Sequence, residues 1–268
     1  MCYYNGVRVA RVEYIRLKQL EKALAELHIL ARPVQSGFDY GESSVLRQAG
    51  NKQDFEVVNM EWGFIPAYLR TRADVTRFRE GYKDSKGLYH KGYVTLNATS
   101  EDLLLPNKIY RDAALHRRCL ILSTGFFEWR HVFPIGKKGQ PLKTAEKFPY
   151  YIGLPQKDYF YMAGIWQPWH DQETGELINT FAIITTAANK LMQQVHNSKK
   201  RMPTILTEDL AYDWLLGNPD EHRISAIAKF QYPWQEMGAI PIAKDFRTAL
   251  DPTAPATYAE LPPLELAG

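Results

Sequence analysis

Cysteine is nearly absent from this chain: Cys2 and Cys119 are too few for a disulfide framework, and neither stands in a CxxC or CxxH pair that would hold zinc. No run of 18 or more apolar residues occurs, so no membrane-spanning helix is expected. The opening MCYYNGVRVARVEY lacks the basic-then-apolar plan of a secretory leader. These absences predict a cytoplasmic protein with no membrane partner. Strong charge of one sign is missing too. The 33 Lys and Arg against 30 Asp and Glu leave a formal net charge of +3, a mild basic bias that permits nucleic-acid binding without demanding it. Internal repeats and low-complexity tracts are also lacking.

What is present is an ordinary globular composition, 45% hydrophobic and 24% charged over 268 residues. In Tyr14 to Leu30, Leu17, Leu20, Leu24, Leu27 and Leu30 recur at helical spacing with charged residues between them, which predicts an amphipathic helix ended by Pro33. Short aromatic and β-branched runs follow at 55–62, 93–96, 119–129, 150–154, 159–166 and 180–186, read as strands. Helices are predicted over 187–195, over 208–216 with Thr207 as N-cap, and from Asn218-Pro219-Asp220-Glu221, where Asn218 caps and Ile224 and Ile227 are buried. Phe133 to Lys147 reads as a basic hairpin loop and Arg70 to Gly92 as a long charged loop with some helix. Strands and helices do not alternate as in a doubly wound sheet. The fold class is therefore α+β, a single domain over residues 1–250 with a mixed, barrel-like sheet flanked by helices. A proline-containing tail over 251–268 is expected to be extended and flexible.

Cys2 carries the most chemistry, because removal of Met1 exposes an α-amine and a thiol on one carbon skeleton. An aldehyde condenses with the amine to an imine, and the thiol then closes a five-membered thiazolidine. An α-amine with a pKa of roughly 7.7 to 8.0 is substantially neutral and nucleophilic near physiological pH, unlike lysine. Taken alone, Cys2 is an accident of a terminus. Cys119, in the apolar run Cys119-Leu120-Ile121-Leu122, reads as a buried, inert thiol.

Cys2 does not stand alone. Trp62-Gly63-Phe64-Ile65-Pro66, Leu96-Asn97-Ala98, Gly125-Phe126-Phe127-Glu128-Trp129, Val195-His196 and Arg201-Met202-Pro203 follow it, in an order that resembles the SOS response-associated peptidase family across residues 2–245. The resemblance implies a Met1-processed sensor of abasic sites in single-stranded DNA, monomeric and without metal or cofactor. In that reading Cys2 attacks the ring-opened aldehyde of the abasic deoxyribose and seals the lesion as a DNA–protein crosslink, a lyase-like activity. It further implies Asn97 beside the terminal amine, Glu128 as general acid–base, and His196 assisting ring opening and crosslink reversal. A carboxyl between apolar neighbours, its pKa raised by desolvation, suits the proton transfers of imine formation. From its own segment Glu128 reads equally as the exposed member of an alternating strand, and His196 as a helix-end histidine.

DNA contact is expected from Trp62 and Trp129, which could stack bases, and from the family positions Gly63, Pro66, Thr99, Met202 and Pro203. Arg201 is expected to pair a phosphate, with a surface ion pair as its alternative. The chain departs from the family pattern in three places. Tyr3 and Tyr4 stand where Cys-Gly-Arg is usual, leaving Arg8 or Arg11 to supply the arginine. Thr99 stands where many members carry arginine, and Lys199 and Lys200 lengthen the His196 to Arg201 interval and could replace that charge. Two other functions fit the same residues: a thiol peptidase with Cys2 as nucleophile and His196 as base, and a noncovalent single-strand-binding module.

Overall fold

A computed structural model describes residues 2–8, 13–51 and 53–266; Arg11 and Met1 lie outside them. Five strands close on themselves. Glu42–Gln48 pairs with Phe55–Trp62, which runs parallel to Leu177–Ala187; that strand pairs with Phe160–His170, which pairs with Arg118–Ser123, and the last returns to Glu42–Gln48. The α+β class with a mixed barrel is thus the fold observed. Asn97–Thr99, Arg201–Pro203 and Ile205–Leu206 are short additions to this ring. Beside it lies an antiparallel sheet in the order Gly238–Pro241, Glu146–Gly153, Gly125–Val132, Tyr4–Val7, Arg32–Ser36.

Period-two alternation sends each barrel strand's side chains to two faces. Leu46, Leu120, Leu122, Ala163 and Ile165 pack with Trp214, Ile224 and Ile227 from the helices Glu208–Leu216 and Glu221–Ala228. Val45, Cys119, Ile121, Met162 and Ile183 pack instead with Cys2, Phe126, Met192 and Val195. The candidate chemistry sits on this second face. Each fully buried Leu, Ile or Phe contributes roughly 1.5–3 kcal/mol, and Trp214 satisfies its indole N–H on the carbonyls of Cys119 and Gly164.

The helix expected over Tyr14 to Leu30 is a hairpin. Tyr14–Leu17 pairs with Leu20–Ala23, and a short 3-10 turn follows at Leu24–Glu26. Ile15 and Leu17 are buried while Tyr14 and Arg16 face outward, so alternation against the neighbouring core prevails over the leucine spacing. Lys18 takes the left-handed φ of 54° that a tight hairpin turn requires. The run 93–96 lies outside any strand, though its backbone bonds to Phe78, Phe64 and Ile183, and the strand there is Asn97–Thr99.

The segment 70–92 holds a helix, Arg72–Glu80, with a Thr71–Asp74 capping box, and a second hairpin, Gly81–Lys83 with Tyr89–Lys91. Glu208–Leu216 has the expected Thr207 cap. The last helix begins at Glu221, with Asp220 and not Asn218 as its cap, because Asp220 reaches the Arg223 amide. Residues 251–266 run without helix or strand over the second core, where Tyr258, Leu261, Leu264 and Leu266 pack. Among the described residues no helix is long and apolar enough to cross a membrane.

Candidate functional site

Tyr4–Val7 lies between Gly125–Val132 and Arg32–Ser36, in register Tyr4 with Phe127 and Gly6 with Gly125. The Tyr3 carbonyl accepts from the Gly37 amide at 2.8 Å, so the chain entering this strand is held beside the Glu128–Trp129 stretch. Cys2 is fully buried. Burial, reinforced by the nearby Glu128 carboxylate, drives its thiol well above the ordinary range, and its Sγ lies 3.8 Å from the Tyr4 carbonyl.

Glu128 is 4% exposed. Desolvation pushes its carboxyl up to about 8, so it keeps its proton at neutral pH. His196 ends the helix Lys190–Val195, which Asn189 caps by accepting from the Met192 amide at 3.0 Å. Burial first, then neighbouring positive charge, pulls its imidazole down to about 4. Nδ1 donates to the Arg201 carbonyl at 2.8 Å, which fixes the proton on Nδ1 and makes Nε2 the basic nitrogen. Nδ1 also lies 3.7 Å from Glu128 Oε1. With the acid protonated and the imidazole neutral, this is contact between two neutral groups and not an ion pair.

The lengthened interval after His196 has a structural purpose. The Lys200 amide donates back to the His196 carbonyl at 2.8 Å, and Lys200 adopts φ 52°, a left-handed turn that brings the Arg201 carbonyl under the ring. Asn197 locks the turn to the Glu128 strand, accepting from the His131 amide at 3.0 Å and donating to its carbonyl at 2.8 Å. The sequence reading missed Asn197; its only signal was its place in the turn.

Glu128, Trp129, His196 and Lys199 line one cleft of about 390 Å³, together with Tyr3, His131, Lys147 and Ser198, which sequence reasoning also missed. Trp129 is half-buried, edge-on to Tyr4 with centroids 5.1 Å apart. Lys199 and Lys200 are exposed. Asn97 is buried elsewhere, on the strand beside Ile183, and neither its Oδ1 nor its Nδ2 has a hydrogen-bond partner among the described residues. A buried amide without partners costs about 1–3 kcal/mol.

Several residues expected to touch DNA are committed to the fold. Trp62 is 1% exposed, donates to the Leu96 carbonyl at 3.0 Å and stacks on Phe181; a ring so enclosed cannot stack a base. Gly63 has φ 144°, and a Cβ there would stand 2.6 Å from Tyr40 Cδ1, so it serves packing. Pro66, Met202 and Pro203 are buried, and the Met202 sulfur receives the Asn189 amide. Thr99 is half-buried in the ladder with Thr185. Arg201 forks onto Glu101 at 2.7 and 2.8 Å and donates to the Thr185 carbonyl. In this structure its guanidinium is engaged by that ion pair. Arg8 is likewise engaged, with Asp251 at 3.0 Å. Cys119 is buried, its thiol pushed well up by burial, and no three His, Cys, Asp or Glu side chains converge as a metal site among the described residues.

Known proteins resemble this chain in sequence and fold. The abasic site processing protein YoqW of Bacillus subtilis is 32% identical over 156 residues, 58% of this chain and 55% of that protein. The abasic site processing protein HMCES of Xenopus tropicalis is 25% identical over 217 residues, 74% of this chain and 50% of that one. The chain thus spans about half the length of these curated relatives. A crystal structure of a Bacteroides thetaiotaomicron protein superposes with a TM-score of 0.72 at 26% identity, covering 96% of this chain and 100% of its own. The model of one family matches residues 35–248, and the chain belongs to that family, the SOS response associated peptidase (SRAP) proteins.

Proposed function

We propose that this protein acts on abasic sites in single-stranded DNA, capturing them as a thiazolidine through Cys2 once Met1 has been removed. The observation that carries the reading is the buried pair beside Cys2: a carboxyl that keeps its proton up to about pH 8 and an imidazole that stays neutral down to about 4. Such a pair offers an acid and a base at once at neutral pH. Family membership supports DNA processing as the general activity, since the relatives named above are abasic site processing proteins.

In the chemistry we infer, His196 Nε2 takes the C1′ hydroxyl proton and delivers it to O4′ as the C1′–O4′ bond of the sugar hemiacetal breaks. The freed aldehyde is attacked by the Cys2 α-amine. One amine proton moves to the carbonyl oxygen to give the carbinolamine, Glu128 gives its proton to that hydroxyl, which leaves as water, and the resulting iminium adds the thiol: the C–S bond forms, the C=N electron pair returns to nitrogen, and the thiol proton passes to the Glu128 carboxylate and restores the acid. Asn97 has the donors and the acceptor to orient the amine or the sugar. Lys147 and Lys199 at the cleft rim supply charge for phosphates.

The thiol peptidase reading fares less well. A cysteine peptidase needs a thiolate stabilised by an imidazolium, whereas the Cys2 thiol is driven up and His196 is held neutral. The test is intact mass and gel mobility after mixing the Met1-processed protein with a single-stranded oligonucleotide carrying one abasic site, beside Cys2→Ala and an intact-base control. A heat-stable shifted species that requires Cys2 and the lesion is the expected result. Its absence, with Cys2 verified as N-terminal, rejects the crosslinking reading.

A further inference from the structure

A second cavity, of about 930 Å³, lies apart from the cleft that holds Glu128. It is a groove between the helix Arg72–Glu80 and the hairpin Gly81–Lys83 with Tyr89–Lys91, walled by Phe78, Tyr82 and Tyr93 with Arg77 and Lys91 at its rim. Tyr3 lines both cavities, so a strand leaving the cleft past Tyr3 runs into the groove.

Two features of the groove point to its occupant. The first is flat aromatic surface open to solvent: Tyr93 is 65% exposed and stacks in parallel on Phe78 at 5.1 Å and 15°. Tyr82 is 37% exposed and stacks on His90 at 4.8 Å and 14°. Tyr68 and Val94 extend the same patch, and an apolar patch of this extent marks a contact site. The second is charge. Residues 70–92 carry seven Lys and Arg against three acids. Of those acids, Asp74 turns an oxygen to the Arg70 and Thr71 amides and Asp84 receives His90. Arg77 lies over the Tyr82 ring at 4.4 Å, where its guanidinium can meet a phosphate. A planar aromatic face beside a basic rim matches a strand that alternates base and phosphate.

We infer that this groove holds the unpaired bases on one side of the lesion, with Tyr93 as the stacking platform and Arg77 and Lys91 on the backbone. The inference builds on the proposed action on single-stranded DNA and adds to it a binding segment outside the reacting cleft. It also assigns a purpose to Tyr3, which stands where the family pattern has glycine: its ring packs on Phe38 at 4.8 Å and joins the two cavities.

The test is fluorescence anisotropy with a labelled intact-base oligonucleotide, comparing the parent with Tyr93→Ala, Tyr93→Phe and Arg77→Ala. Tyr93→Ala should raise Kd by about fivefold to a hundredfold, the range for loss of one stacked base, and Tyr93→Phe should stay within about twofold of the parent. Arg77→Ala should reduce the slope of log K against log salt by about 0.7. As a second measurement, oligonucleotides with 5-bromouracil placed at successive positions from the lesion should, on irradiation, give adducts on residues 78–94. Parental affinity in Tyr93→Ala, or adducts confined to other segments, overturns the groove assignment. The two readings separate, because intact-base DNA forms no covalent bond. A parent that fails to crosslink abasic DNA yet loses affinity with Tyr93→Ala rejects the crosslink alone. A parent that crosslinks while Tyr93→Ala binds normally rejects the groove alone.

Discussion

Glu128 and His196 lie 3.7 Å apart and hold their protons in the order opposite to the one they would adopt in water. Crosslinking should therefore run between about pH 4 and 8 and fall above about 8 as Glu128 ionises, a rate profile that Glu128→Gln should abolish along with roughly 10²–10⁴ of the rate. Stability carries the same signature. Between 4.5 and about 8 the unfolded carboxyl has lost its proton while the folded one keeps it, so the Glu128 contribution falls as pH rises. Between about 4 and 6.5 the unfolded imidazole binds a proton the folded one refuses, so the His196 contribution rises. The two slopes oppose each other from 4.5 to 6.5, leaving a net loss from 6.5 to 8. Chemical denaturation of Glu128→Gln across this range should find it more stable than the parent by roughly 2–4 kcal/mol at pH 8, and less so at pH 5.

At the scale of elements, the His196 turn is the part most open to a single change. Asn197→Ala removes both bonds to His131 and should lower stability by about 1–3 kcal/mol. It should also slow crosslinking while leaving affinity for intact-base DNA unchanged, which stopped-flow rates beside anisotropy would separate. Such long-range clamps are what the sequence conceals. The order of the motifs was enough to single out Glu128 and His196, which the fold brings within 3.7 Å of each other, and Glu208–Leu216 was legible because Thr207 and its acids signal a helix start locally. The hairpin at Tyr14–Leu17 was not legible. Its leucines fit a helical period by coincidence, and the left-handed Lys18 leaves no trace in residue type. The surroundings of Trp62 and Arg201 were hidden for a related reason. An aromatic ring or a guanidinium has the same chemistry in a core as on DNA, and only the tertiary partners, Phe181 and Glu101, decide between them.

The whole molecule joins the site to its last residues. Arg130 donates to the Pro262 carbonyl, and Gln194 exchanges two hydrogen bonds with Glu265. Ending the chain at Asp251 should therefore cost roughly 2–5 kcal/mol and lower Tm, measured by calorimetry, since Tyr258, Leu261, Leu264 and Leu266 leave their core contacts. Lys147 and Lys199 act at long range, and neutralising each should reduce the salt slope for single-stranded DNA by about 0.7. The barrel ring has no open side, but the sheet that carries Cys2 has two outer strands, Arg32–Ser36 and Gly238–Pro241. Each contains a proline, Pro33 or Pro241, which offers no N–H to an incoming chain. Copies of this chain brought close together are thereby hindered from pairing sheet edge to sheet edge, the route by which exposed strands seed aggregates.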